Sequence, residues 1–193
     1  MKQQAADLPT ILFESQPAFE EWLMNHTTSP GVWLQLAKKN SGILSVTYDE
    51  AVESALCYGW IDSQKKAFDE TTWIQKFTPR SAKSYWSKVN TQKAEALIAS
   101  GRMKPQGMKA IETAKQNGNW DNAYSAQSIA TLPEDFAAEL LQNTKAKSFY
   151  DSMNSQNKYA IIFRLQHAKK PETRLRLIAR FLEMLEKGEK IYP

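Results

Sequence analysis

The sequence predicts an α+β fold in which a small sheet of about three strands is packed by helices and followed by a C-terminal helical region. Three observations carry that expectation. Residues 60–67 and 72–78 alternate side chains in the period-two manner of strands, Trp60, Asp62 and Gln64 against Ile61, Ser63 and Lys65, then Trp73, Gln75 and Phe77 against Ile74 and Lys76. Val32–Ala37 is a short, mostly apolar run bounded by Ser29-Pro30-Gly31 and by the turn Lys38–Gly42, as a largely buried strand would be. Beyond residue 131 every periodic segment has the helical repeat.

Taken in order, the first 15 residues read as an arm, with Phe13 docking on the core. Pro17 opens a helix whose Phe19, Trp22, Leu23 and His26 fall on one stripe, and His26 in the last turn suits the helix dipole better than a metal. Thr47-x-x-Glu50 is a capping box, which starts a helix at Tyr48 that Gly59 ends. Its narrow face of Ala51, Val52, Ala55 and Leu56 allows close approach to a sheet. The two alternating runs then form a hairpin across Phe68–Thr71, and Pro79 ends it.

Ser81 or Ser84 is expected to cap the next helix, with Trp86, Val89, Lys93, Ala94, Leu97 and Ile98 in period and Gly101 as its stop. Pro105–Gln116 follows as a short helix. The polar stretch 117–131 reads as a hinge, so that residues 1–118 make the α+β core domain and 119–193 the helical region. There, Pro133 begins one helix with Phe136, Leu140 and Leu141 inward, Thr144 caps a second with Phe149, Tyr150 and Met153, and Ser155 caps a third with Tyr159, Ile162, Phe163 and Gln166. Pro171 starts the last, where Leu175, Ile178, Ala179, Leu182 and Leu185 form a stripe before Gly188.

Composition narrows the function classes. Of 193 residues, 42% are hydrophobic and 24% charged, the mean hydropathy is −0.55, and no apolar run approaches the length of a membrane span, so no membrane insertion is expected. The N-terminus lacks the apolar core of a secretory leader, and the lone Cys57 fits a reducing compartment, which together predict a cytoplasmic protein. Cys57 sits beside Leu56 on the apolar side of its helix and reads as a buried thiol. The net charge of +4 is mild, but it is unevenly placed. Residues 63–109 hold ten Lys or Arg against three acids, leaving the remainder at −3.

Candidate functional residues cluster in that basic stretch. Trp60, Asp62, Trp73, Phe77, Arg80, Lys83, Ser84, Trp86, Ser87 and Asn90 would meet where the hairpin reaches the amino end of the next helix, an end that favours anions. Trp60, Asp62, Trp73, Arg80, Lys83, Ser84, Trp86 and Asn90 are the ligand-binding candidates, with a tryptophan as a stacking plate. The competing reading is structural: tryptophans in the core, Asp62 paired with Arg80 or a lysine, and serines as caps. Nucleic-acid binding through residues 63–109 is an alternative, although no helix-turn-helix, zinc-finger or RNA-recognition signature is present. His167, Lys169, Lys170, Arg174, Arg176 and Arg180 read as a solvated or partner-docking face. No nucleophile-and-base pair and no metal-ligand spacing occurs, so no catalytic residue, metal or cofactor is assigned, and an enzyme working through Asp62 and Arg80 stays an alternative.

The words ALCYGWIDS, KFTPRSAKSYWSKVN and AKKPETRLRLIARFLEMLEKG resemble the bacterial YdeI/OmpD-associated (OmdA-like, bacteriocin-protection) family. GWID, FTPR, S-x-W-S-x-x-N and GRM carry the resemblance, which runs from about Phe13 to Gly188. Lys170 and the Leu175–Leu177 stretch stand where arginine-richer versions are common. The resemblance implies an α+β domain followed by helices, in a cytosolic stress or bacteriocin-protection factor that binds a small anionic ligand or a protein partner. It implies no reaction.

Overall fold

A computed structural model describes residues 7–193 and divides into two compact units. The first holds the chain up to Trp86 together with Asn90–Asp121; the second holds Ser87–Val89 and Asn122–Pro193.

In the first unit a four-stranded sheet has the order β1 (Thr10–Leu12), β2 (Val32–Ala37), β4 (Thr72–Pro79), β3 (Trp60–Ala67). Where the sequence suggested about three strands and an N-terminal arm, Thr10–Leu12 adds a short strand parallel to β2, in register with Trp33–Gln35. Residues 1–6, also assigned to the arm, lie outside the described residues. β2 and β4 are antiparallel, as are β3 and β4, so the hairpin forms as expected, with a bulge between Asp62 and Lys65. Its turn is closed by Asp69, whose carboxylate accepts from the amides and hydroxyls of both Thr71 and Thr72. The Thr72 hydroxyl, then the Thr71 amide, draw the Asp69 carboxyl down to about 2.

β2 is not sealed on both faces. Val32, Leu34 and Leu36 are buried while Trp33, Gln35 and Ala37 are half-buried, because only one face packs on helix α1 (Gln16–Asn25), where Phe19 meets Phe77 at 5.7 Å between ring centres. α1 buries Phe19 and Leu23 but leaves Trp22 half-exposed with His26 stacked on it at 4.4 Å, so the predicted stripe is narrower than expected. The Thr47–Glu50 capping box is present and starts α2 at Tyr48–Cys57. Cys57 is 1% exposed and burial pushes its thiol up to about 11, an inert structural group.

α3 (Lys88–Ala99) starts later than the serines predict. Its buried residues are Thr91, Ala94 and Leu97, while Val89 and Ile98 face outward. Arg102 joins Glu53 of α2 at 2.8 Å to Glu20 of α1 at 3.3 Å. α4 (Pro105–Gln116) has the predicted bounds and crosses α2 at Gly107. A Cβ there would stand 2.4 Å from the Cys57 carbonyl and 2.6 Å from that of Leu56, so only glycine lets the two backbones approach so closely.

The second unit is helical. After a 3₁₀ turn (Gln127–Ile129) come α5 (Glu134–Gln142), α6 (Thr144–Ser152), α7 (Ser155–Gln166) and α8 (Pro171–Glu186). Phe136, Leu140, Ala146, Tyr150, Met153, Ile161, Leu165, Ile178, Phe181 and Leu185 form its core. Several sequence expectations shift here by one position. Asn143 and Asn154, not Thr144 and Ser155, are the caps, each amide oxygen accepting from the third residue on. Leu141 and Leu175 point to solvent, and α8 presents Ile178, Phe181 and Leu185 inward instead.

Arg174, expected on a solvated face, grips Asp135 with two nitrogens, one at 2.7 Å, and also donates to the Leu165 carbonyl. That pairing, chiefly, holds the Asp135 carboxyl below its usual range. Because the folded value is lowered, the stabilisation is present above the unfolded carboxyl range and lost as pH falls through the folded value. Asp135→Asn is expected to cost about 1 kcal/mol near neutral pH, discounted for an exposed pair, and to cost less near pH 3. Urea titrations of both proteins at the two pH values check this, and a gap that does not narrow in acid would count against it.

Candidate functional site

The largest opening to gather the predicted residues lies wholly within the first unit. It has a volume of about 460 Å³ and takes its walls from five places in the chain. α1 supplies Leu23 and the turn after it Thr27. The end of α2 supplies Tyr58 and Gly59, and the adjoining hairpin ends supply Trp60 and Pro79. The loop after β4 contributes Arg80, Ser81, Ala82, Ser84 and Trp86, and one face of α4 contributes Gln106, Lys109, Ala110, Thr113 and Ala114. Small side chains on its walls, Ala82, Ala110 and Ala114 among them, leave the space unfilled, while Gly59 lets α4 close in, a Cβ there standing 2.7 Å from the Gln106 carbonyl.

The loop 80–86 is irregular because other bonds hold it. The Ser81 amide donates to the Ser84 hydroxyl and the Ser84 amide to the Ser81 carbonyl, a tight turn that satisfies these groups without a helix. Asn117 and the 7% exposed Asn119, 35 and 37 residues away, donate side-chain amides to the Ala82 carbonyl at 2.6 and 3.2 Å. The predicted helix start at Ser81 or Ser84 is therefore overturned. With it goes the expectation that Arg80, Lys83 and Ser84 surround a helix amino end.

Arg80 is instead built into the wall. Its amide donates to the Gly59 carbonyl at 2.9 Å, its Nε to the Trp60 carbonyl at 3.2 Å and its Nη1 to the Tyr85 carbonyl at 3.1 Å. Its guanidinium carbon lies 3.7 Å from the Trp86 ring centre. Trp86, 2% exposed, also packs on Trp120 at 4.9 Å, so it carries Arg80 and does not serve as a ligand-stacking plate.

The remaining candidates disperse. Trp60 and Arg80 line the cavity and also, with Asp62 and Asn90, a crevice too narrow to admit a ligand. Asp62 accepts from the Tyr48 hydroxyl at 2.8 Å and Gln75 Nε2 at 3.2 Å, not from Arg80 or a lysine. Trp73 lies under Lys65 at 4.1 Å, and Lys83 is exposed on the loop without lining the cavity. Thus Trp60, Arg80, Ser84 and Trp86 come together, while Asp62, Trp73, Lys83 and Asn90 stay outside.

Tyr58, Gln106, Lys109 and Thr113 were missed by sequence reasoning. The last three share the i, i+3, i+7 face of α4, a signal present in the sequence but without a stated counterpart until α4 is placed against Gly59. Burial, then Glu20 and Cys57, push the Tyr58 phenol up, so it is a neutral hydroxyl at physiological pH. The lining side chains include two cations, Arg80 and Lys109, and no carboxylate. An opening of this kind can hold an anion without opposing charge.

The basic run 63–109 does not form one stripe. Arg102 and Lys93 are committed to Glu20, Glu53 and Asp49, Arg80 to Trp86, and Lys66 and Lys76 lie over Trp33.

Fold and cavity define an α+β protein with a C-terminal helical unit and a cationic recess in its sheet-bearing part. The chain belongs to the family described as Domain of unknown function (DUF8412), whose model matches residues 11–110. Residues 130–188 match a second family, described as Bacteriocin-protection, YdeI or OmpD-Associated, which is the family the sequence resembles. GWID, FTPR and GRM, which helped carry that resemblance, fall under the first match. No curated protein and no solved structure matches the chain. Among the described residues no helix is long and apolar enough to cross a membrane.

Proposed function

We propose that the protein is a non-catalytic binding protein for a small anionic ligand, held in the 460 Å³ cavity between Arg80 and Lys109. One observation carries this reading: two cations and no carboxylate converge on a concave, partly apolar recess, the usual setting of a small-molecule site. Ser84, Thr113, Gln106 and Tyr58 supply neutral hydrogen-bonding groups around it, and Trp60 and Trp86 supply rigid walls. The bacteriocin-protection wording of the family matching residues 130–188 supports a protective role for such binding, with a protein partner as another route to it, and the lone buried Cys57 suits a reducing cytoplasm. Nucleic-acid binding gains no support from a basic run whose charges are turned to different neighbours.

A thermal-shift screen of anionic metabolites tests the proposal. A ligand that raises Tm should bind Lys109→Glu about 10- to 100-fold more weakly, the equivalent of one charged hydrogen bond of about 1.5 to 3 kcal/mol. Ala110→Leu, which fills the cavity from the opposite chemistry, should abolish the response while leaving the unliganded protein folded. Binding that survives both substitutions would place the ligand elsewhere.

A further inference from the structure

The lining of the cavity also restricts the kind of anion. We infer that the ligand is an organic carboxylate with a compact apolar body, such as a single-ring or branched-chain acid, and not a phosphate or nucleotide. This rests on the reading that the cavity binds an anion.

Phosphate groups in proteins are held by converging backbone N–H groups at a helix start or by an arginine fork presented edge-on. Neither device faces this recess. The helix after Arg80 begins only at Lys88, and no residue of it lines the cavity. The amino end of α4 is closed by the carbonyl end of α2: the Lys104 amide donates to the Cys57 carbonyl at 3.2 Å, Pro105 has no N–H to offer, and Gly107 is pressed on the Cys57 and Leu56 carbonyls. Arg80 spends Nε and Nη1 on the carbonyls of Trp60 and Tyr85 and its face on Trp86, so it acts as a fixed centre of charge in place of a fork.

What the recess does offer is apolar surface. Pro79 and Ala110 present open apolar surface to it, backed by the nearly sealed Leu23, Trp60, Trp86 and Ala114, which are 0–3% exposed. Burying a ring or a branched chain against these walls is favourable in proportion to the apolar area removed from water, whereas a hydrated phosphate gains nothing from them. Lys109 can pair with one carboxylate beside the fixed charge of Arg80, with the neutral Tyr58 hydroxyl and the Gln106 side-chain amide as its remaining donors, since the Thr113 hydroxyl donates to the Lys109 carbonyl at 2.8 Å and the Ser84 hydroxyl is engaged with Ser81. At 460 Å³ the space lies toward the lower end of small-molecule sites, which again suits a small acid over a dinucleotide.

Titrating the 193-residue chain with sodium benzoate, benzamide and inorganic phosphate, and following the indole N–H signals of Trp60 and Trp86 by NMR, tests the inference. Benzamide has the ring without the charge; phosphate has the charge without the ring. Benzoate should saturate the shifts at least about tenfold more tightly than either. The response should vanish in Ala110→Leu, whose own spectrum shows that it is folded. Phosphate binding more tightly than benzoate would overturn the carboxylate assignment and leave an anion site standing. Benzamide matching benzoate would overturn both, since charge would then count for nothing. Benzoate shifts that persist in Ala110→Leu, or the absence of saturation by any of the three probes at millimolar concentration, would overturn the inference.

Discussion

Trp86→Ala is expected to destabilise the protein by about 4 kcal/mol, the middle of the range for truncating a buried aromatic. The indole is 2% exposed, rests on Trp120 at 4.9 Å and carries the Arg80 guanidinium at 3.7 Å. Removing it opens a void and also strips Arg80 of its platform, so the loop 80–86 loses both its packing and the orientation of its charge. Urea unfolding followed by far-ultraviolet circular dichroism measures the loss. Trp86→Phe should recover part of it, because a smaller ring still meets Trp120 and still faces the guanidinium. A cost below about 1.5 kcal/mol for the alanine variant would mean that the indole is not the support described.

Gly107→Ala is expected to cost about 3 kcal/mol, the upper end for an added methyl in a packed interior, despite the better helix propensity of alanine. The new Cβ would meet backbone, the Cys57 carbonyl at 2.4 Å and the Leu56 carbonyl at 2.6 Å, and backbone at a helix crossing cannot step aside as a side chain can. α4 must then move off α2, carrying Gln106, Lys109 and Ala110 away from Trp60 and Arg80. Binding of any cavity ligand should weaken with stability in this variant. By contrast, Gly101→Ala, where nothing lies within 4 Å, should cost only the strain of its positive φ. Thermal melts of the two variants side by side check the difference, and equal losses would show that the α2–α4 crossing is looser than described.

Much of the fold was legible because its signals are local. The alternation over Trp60–Ala67 and Thr72–Pro79 writes the hairpin, since each side chain's face follows from its own position. Thr47 and Glu50 write the start of α2 within four residues, and Pro105 opens α4 where expected. Local signals also misled. Ser81 and Ser84 look like helix caps, yet their hydrogen bonds close a turn on each other, and Asn117 and Asn119 hold that turn from more than thirty residues away. Thr10–Leu12 is too short to announce itself as a strand and exists because β2 lies beside it.

By itself the sequence determined the α+β class, the hairpin, the helices of the C-terminal region and the family resemblance, since periodicity, capping and motif words are properties of neighbouring residues. The tertiary structure alone decided which of the candidates share a cavity. Trp60 and Arg80 are brought to Lys109 by the α2–α4 crossing at Gly107, while Asp62, only two residues from Trp60, is taken by Tyr48 and Gln75. The physical reason is that a recess is a property of facing surfaces: its volume comes from small residues on separate elements, and no stretch of chain records what will stand across from it.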